Sequence, residues 1–444
     1  MKKIFLTLLI ACSVMLSIEA KDSKKDFSTV IKDSGVSIES IAVSIKNAAT
    51  GKNVYVLNDK MLMNPASVQK ILTAPVIVET LGADYLFKTG IYSRDEDTYI
   101  IKLGADPYLK STDIKTLVKN IDTDYPKIII DDSVMDNKTW GEGWQWDDDM
   151  NVLMPRFGAY NLDKNLIKLT IMPPKDDEFA TIINPSKYPL VFFNHVTKAD
   201  KTNLDIKRDN TVSANTITLS GTVARPTTIY IPNHNLKGYF NLQLTKALEE
   251  KNVYPKQSIV TGMISDEDVL KEEVSHNISS ALNDILKNSN NLVTESLFKL
   301  AGAKHCNLLT GTDSSAIKMF NDYCVKNNLD NSKVRITDGS GVSKNNLFSA
   351  DFITQFLLVN KDNPVMDNLP RPGEGTLTHR MLPIKNNLKA KTGTLSDVSS
   401  IAGYLESKSG KHYVFCIMIN DMQLSEADKK MLEDFIIREA YFRL

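Results

Sequence analysis

Three short segments most constrain how this 444-residue chain can fold: Ser67-Val-Gln-Lys70, Ser289-Asn-Asn291 and Lys391-Thr-Gly393. If they act together, distant parts of the polypeptide must close on one pocket. Ser67 and Lys70 stand three apart at the start of an apolar-periodic run, which puts both on one face of a helix. A serine at a helix N-terminus meets unpaired N–H groups and the positive end of the dipole, both favourable to developing negative charge. A lysine that is desolvated and close to another cation loses proton affinity, and it can then act as the base that activates a hydroxyl. Ser289 and Asn291 supply a second hydroxyl and an amide, suited to relaying protons and holding a substrate. Lys391, with the hydroxyls of Thr392 and Thr394, suits a terminal carboxylate gripped by charge-assisted hydrogen bonds. Gly393 lets another backbone approach the strand closely. The set fits acyl transfer from a peptide that ends in a free carboxylate.

No segment is specific alone. Ser296-Leu-Phe-Lys299 repeats the first pattern, Ser213-Ala-Asn215 and Ser343-Lys-Asn345 the second, and Lys88-Thr-Gly90 the third. The Ser289 copy is preferred because it joins two helical stretches, one with Leu282, Ile285 and Leu286, the other with Leu292, Leu297 and Leu300. Plain helix capping is the alternative there. Lys391-Thr-Gly393 is preferred because it lies in an extended run followed by a second strand, whereas Lys88-Thr-Gly90 has no strand-like continuation carrying a further donor.

A chain of this length is expected to form two or more domains. Its formal net charge of −1 gives no electrostatic case for nucleic acid binding. Membrane contact would have to come from the N-terminus, where Lys2 and Lys3 precede an apolar run from Ile4 to Ile18, then Glu19-Ala20 and a charged stretch. That is the pattern of a secretory leader over residues 1–20, shorter than the ~20 apolar residues of a spanning helix. Leu9-Ile-Ala-Cys12 also resembles a lipobox, but the apolar run continues past Cys12. Either way the mature protein is expected to be exported. Removal of the leader leaves Cys306, Cys324 and Cys416, read as three separate packed thiols. No cysteine or histidine spacing suggests a metal site, and no organic cofactor is implied.

The run from Ile41 to Leu57 reads as a β-hairpin around an Asn/Thr/Gly turn, and Asn64-Pro-Ala-Ser67 opens a helix that ends at Gly82 with Pro75 inside it, where a kink is expected. Alternating runs at 99–103, 127–130, 166–171, 216–221 and 228–231 make residues 87–263 a β-rich region. One helical stretch is expected from Ser279 to Leu300, then mixed helix and strand.

The chain resembles the DacB-type D-alanyl-D-alanine carboxypeptidases/endopeptidases, the class C low-molecular-mass penicillin-binding proteins. Pro65-Ala-Ser-Val-Gln-Lys70 with Leu81-Gly82, Asn288-Ser-Asn-Asn-Leu292, Asp338-Gly-Ser-Gly-Val-Ser-Lys-Asn345, Leu369-Pro-Arg-Pro-Gly-Glu-Gly-Thr-Leu377 with Arg380, and Lys389-Ala-Lys-Thr-Gly-Thr-Leu395 carry the likeness. It implies an α+β, transpeptidase/β-lactamase-like domain, an antiparallel sheet covered by helices and built from residues 21–86 and 264–444, with 87–263 inserted. It implies Ser67 as nucleophile, Lys70 as base, Ser289 as proton relay, Asn291 as substrate holder and Lys391 as carboxylate ligand. Backbone N–H groups of Ser67 and Thr394 would form the oxyanion hole. Thr392, Gly393, Thr394, Asp148 and Arg380 would contact substrate, Asp148 through the peptide's diamino acid. The implied partners are peptidoglycan stem peptides and β-lactams. The inserted length and the lack of an evident extra Glu-containing deacylation segment argue against a class A serine β-lactamase. Intact side chains in all three segments argue against an inert binding module.

Overall fold

The computed structural model describes residues 27–444 apart from residue 176. The expected leader and Cys12 lie outside the described residues.

Helix α1 (Phe27–Asp33) leads into the expected hairpin, β1 (Ile41–Asn47) and β2 (Asn53–Leu57). Its turn closes because Asn47 Oδ1 accepts from the Ala49 and Thr50 amides at 3.0 and 2.9 Å, as an Asx turn does. A short 3-10 turn (Ala66–Gln69) then feeds helix α2 (Lys70–Leu81). Gly82 stops the helix at φ 93°, a conformation that suits glycine. Burial runs from Lys70 through Ile77, so α2 is a central helix, apolar nearly all round. Pro75 sits inside it without ending it.

The middle of the chain forms three further sheets. Its elements are β3 (Leu86–Ser93), β4 (Thr98–Lys102), α3 (Ser111–Leu117), β5 (Lys127–Asp131), β6 (Leu166–Met172), β7 (Thr181–Ile183) and β8 (Val191–Lys198). There follow β9 (Asn203–Arg208), β10 (Thr216–Val223), β11 (Thr227–Pro232), α4 (Leu236–Glu250), β12 (Val260–Thr261) and β13 (Val269–Asn277). The sheet orders are β12-β5-β4-β3-β13, β11-β6-β7 and β8-β10-β9. All five strand-like runs read from the sequence are strands, but α3 and α4 interrupt the region. Strand β13 lies beyond residue 263 yet pairs along β3, from Val269 opposite Ser93 to Asn277 opposite Leu86. Lys88-Thr-Gly90, read as lacking a strand, is part of β3, with Lys88 3.0 Å from Glu273 of β13.

The helical stretch expected from Ser279 to Leu300 is broken. One α-helical turn (Ser279–Leu282) widens into a π-helical turn (Asn283–Lys287) that ends before Ser289, whose φ is +60°, and helix α5 (Asn291–Cys306) starts anew with Asn290 as its cap. After α5 come α6 (Asp313–Lys326), α7 (Ala350–Val359), β14 (Leu388–Thr394), β15 (Val398–Glu406), β16 (His412–Asn420) and α8 (Glu426–Arg443). The two ends of the chain share one antiparallel sheet, ordered β14-β15-β16-β1-β2. Strand β16 reads as a near-continuous apolar run because both its faces are covered. Tyr413, Phe415, Ile417 and Ile419 pack with Leu432, Ile436 and Ile437 of α8, while Val414, Cys416 and Met418 join the core that contains α2 and α5. Each such side chain contributes about 1.5–3 kcal/mol on full burial. Cys306, Cys324 and Cys416 are all free thiols. Among the described residues no helix is long and apolar enough to cross a membrane.

Phe415 is 2% exposed at the centre of the α8 side. Phe415→Ala should lower stability by about 3–5 kcal/mol, read as an earlier urea midpoint; an unchanged midpoint would show that this face is not a packed core.

Candidate active site

The site forms where the open edge of the sheet, strand β14, runs against the N-terminal turn of α2. Gly393 makes that approach possible: a Cβ there would lie 2.7 Å from Pro65 O and 2.9 Å from Ser67 N. Ser400 of the adjacent strand fixes the contact by donating to Pro65 O at 2.5 Å. Ala66 takes a left-handed φ of +44°, and Gly341 packs so closely on it that a Cβ would run into Ala66 O. Strained backbone of this kind persists only where surroundings over-determine it.

Lys70, fully buried, donates to Ser67 Oγ at 2.9 Å, to Asn291 Oδ1 at 2.6 Å and to Ser340 O at 2.8 Å. All three acceptors are uncharged. Burial therefore pulls the Lys70 amine down to about 7, against the weaker upward pull of Asp338 and Glu295. Lys391, also fully buried, donates to Ser289 Oγ at 2.9 Å and to Thr392 O at 2.8 Å. Its proton affinity is lowered well below the usual lysine range, first by burial and then by repulsion from Lys70. The expected two-amine arrangement is present, but burial rather than Lys391 is the main cause of the Lys70 shift.

Asn291 opens α5, so its side chain comes off the first helical turn toward Lys70. Its Nδ2 donates to Leu153 O at 2.8 Å, which fixes the amide and leaves one N–H unspent. Val152, Leu153, Pro155, Lys164 and the segment 288–292 enclose a cavity of about 120 Å³ beside Ser289.

Four expected substrate contacts differ in where they fall. Thr394 ends β14 half-buried beside Gly393. Thr392 donates its hydroxyl to Thr376 Oγ1 at 2.7 Å. Asp148 sits half-buried in the short turn Trp146–Asp148; burial and Asp147 raise its carboxyl, and Lys344 opposes them. Lys344 in turn pairs with Asp397, in the turn that follows Thr394. The guanidinium of Arg380, expected to contact substrate, is held by Glu433 at 2.8 Å and by Asp434 of α8. Glu433 also accepts from Ser399 at 2.7 Å, so the guanidinium of Arg380 is engaged on the α8 face of the sheet.

Two acids were given no role in the sequence analysis: Glu295 was not singled out, and Asp338 appeared only as the start of a family-like segment. Glu295 lies one turn after Asn291, fully buried, and accepts from the Gly339 amide at 3.1 Å and the Ser340 amide at 2.7 Å. Burial, aided by Asp338, raises its carboxyl to about 8. Asp338 accepts from Trp144 Nε1 at 2.8 Å, Gly341 N at 2.9 Å, Ser343 N at 2.7 Å and Asn346 Nδ2 at 2.8 Å. Together they shape the loop that offers Ser340 O to Lys70. The i, i+4 spacing of Asn291 and Glu295 was the available signal. The rejected repeats are engaged elsewhere: Lys299 pairs with Asp136 at 2.7 Å and Asp313 at 3.1 Å, and Ser296 accepts from Asn161 at 2.9 Å.

Known proteins match most of the chain. A D-alanyl-D-alanine carboxypeptidase of Actinomadura sp. (strain R39) is 24% identical over 428 residues, covering 87% of this chain and 79% of the relative. The D-alanyl-D-alanine carboxypeptidase DacB of Haemophilus influenzae is 23% identical over 425 residues, 87% of this chain and 86% of its own. The crystal structure of penicillin binding protein 4 (dacB) from Haemophilus influenzae superposes with a TM-score of 0.81 at 21% identity, covering 94% of this chain and 99% of that one. A structure of the same protein complexed with a novel β-lactam superposes at 0.76, 20% identical, with the same coverage. These likenesses establish the fold, an α/β core with antiparallel sheets and helices as in penicillin binding protein 4. The family model for the D-Ala-D-Ala carboxypeptidase 3 (S13) family matches residues 23–439 and so spans every segment of the pocket, and the chain belongs to that family.

Proposed function

We propose that this protein is an exported serine-type D-alanyl-D-alanine carboxypeptidase/endopeptidase of peptidoglycan peptides that works through an acyl-enzyme and is acylated by β-lactams. The observation that carries the reading is the buried Lys70 amine, 2.9 Å from Ser67 Oγ and surrounded by uncharged acceptors. With proton affinity lowered to about 7, a large share of Lys70 is neutral at physiological pH and can take the Ser67 proton as Oγ attacks the D-Ala carbonyl. The C–O bond forms, the C–N bond breaks, and the proton passes from Lys70 by way of Ser289 to the leaving amine. Backbone N–H groups of Ser67 and Thr394 hold the oxyanion, each such donor being worth about 3–4 kcal/mol. Lys391 and Thr394, with the Thr392–Thr376 hydroxyl pair, bind the terminal carboxylate. The free N–H of Asn291 holds the peptide amide. Water then attacks the acyl carbon, the C–O bond to Ser67 breaks, and one proton of the water passes through Lys70 to Ser67 Oγ. The half-buried Asp148 carboxyl suits the amine end of a diamino acid side chain. Export follows from the N-terminal leader pattern and from the cell-wall substrate.

Ser67→Ala should abolish covalent labelling by a fluorescent penicillin while leaving the urea midpoint near that of the wild type; labelling that persists would refute the nucleophile assignment.

The direction of the Lys70 shift sets the pH profile. The working form is the unprotonated amine, and its population climbs as pH rises through about 7. Acylation by a β-lactam should therefore quicken about tenfold per pH unit below that midpoint and level off above it. Lys70→Arg, which stays charged, should lower the rate by about 10²–10⁴ and remove the inflection. Rates that do not change between pH 5 and 9 would exclude Lys70 as the base.

A further inference from the structure

The cavity beside Ser289 has a larger neighbour. Lys164 and Leu166 also line a larger hollow of about 670 Å³, walled by Tyr108, Lys110, Tyr230 and His276. That is within the range of about 300–1,000 Å³ typical of ligand sites. The two hollows therefore adjoin at Lys164 and Leu166, one beside the Ser289–Asn291 segment and the other in the inserted region.

Lys164 marks the junction, and its backbone is built for the place. Asp163, Lys164 and Asn165 are three consecutive left-handed residues, at φ 52°, 59° and 58°. Such a run of non-glycine residues is costly and persists only where it is over-determined. Here it is. Asp163 accepts from Ser111 N and Tyr239 OH, each at 3.0 Å, and Asn165 donates to Asn161 Oδ1 and Arg156 O, each at 2.7 Å. The flanking side chains are consumed in holding the turn. The Lys164 side chain between them is exposed, and among the described residues its ammonium has no hydrogen-bond or ion-pair partner. The same is true of the Lys110 ammonium across the hollow.

The acids nearby are already engaged. Asp106 holds His276 Nδ1 at 2.5 Å, Asp284 holds Tyr108 OH at 2.9 Å, and Asp113 accepts from the Lys110 amide at 2.8 Å. Lys164 and Lys110 thus face the hollow without an ion-pair partner, while the nearby carboxylates, Asp163 included, are oriented by their own hydrogen bonds.

We propose that this hollow is an extended subsite for the peptide substrate, in which Lys164, supported by Lys110, pairs with a carboxylate remote from the scissile bond. The inference rests on the acyl-transfer reading of the Ser67 pocket. It assigns the chain a second carboxylate contact, separate from the one at Lys391, and makes the charge state of the distant peptide a determinant of turnover.

The test compares a muropeptide that keeps its side-chain carboxylates with the same muropeptide amidated at those positions. The wild type should favour the free acid about five- to tenfold in kcat/KM, mostly through KM. Lys164→Gln should erase the preference, Lys164→Glu should reverse it, Lys164→Arg should keep it, and Lys110→Gln should reduce it. Equal use of both substrates by the wild type, or a preference unchanged in Lys164→Glu, would overturn the subsite. If the folded wild type hydrolyses neither substrate and takes up no β-lactam, the acyl-transfer reading itself fails, and the subsite with it.

Discussion

A lysine amine placed out of reach of water, with only neutral oxygen atoms to bond to, governs the architecture of this protein. A carboxylate in contact with Lys70 would fix its proton and disable it as a base. The fold instead turns the two nearest acids away: Glu295 toward the amides of Gly339 and Ser340, Asp338 toward an indole, an asparagine and two amides. Both then act on Lys70 only at a distance, and desolvation prevails. Those same contacts shape the Asp338–Ser343 loop, whose Ser340 carbonyl is one of the three acceptors.

Keeping that amine dry requires four parts of the chain at once. The α2 turn brings Ser67 and Lys70, the α5 start brings Asn291, the 338–343 loop brings Ser340, and the sheet edge brings Lys391 by way of Ser289. The sheet that joins β1 to β16 locks the two ends of the polypeptide together before the inserted region adds Leu153 against Asn291. Active-site strain gathers at these seams: Ala66 and Ser289 both hold left-handed backbones without being glycine. Both sit where a side chain must leave a helix start at a fixed angle.

Much of this could be read from residue order. The three segments, the first hairpin, the Gly82 stop and the strands of the inserted region all carry local signals in turn chemistry or periodicity, and local signals survive folding. What escaped depends on contacts between remote residues. Arg380 was expected from the resemblance to contact substrate, yet Glu433 and Asp434, some fifty positions later, pair with it. Apolar periodicity ran through 279–300 without showing that Asn290 caps a new helix. Lys88-Thr-Gly90 looked unsupported although β4 follows it closely, because Lys88 and Thr89 pair only with β13, almost two hundred residues later. The roles of Glu295 and Asp338 were not legible because an acid's orientation, not its presence, determines what it does to a nearby lysine.

The central claim is that a neutral Lys70 amine coexists with a folded pocket near physiological pH. Carbon-13 or nitrogen-15 NMR of the labelled lysines, with Lys70 assigned through the Lys70→Arg variant, reads this directly. The account predicts one side chain titrating with a midpoint near 7 that vanishes in the variant. A Lys70 resonance that keeps its proton up to the ordinary lysine range, near 10.4, would contradict it.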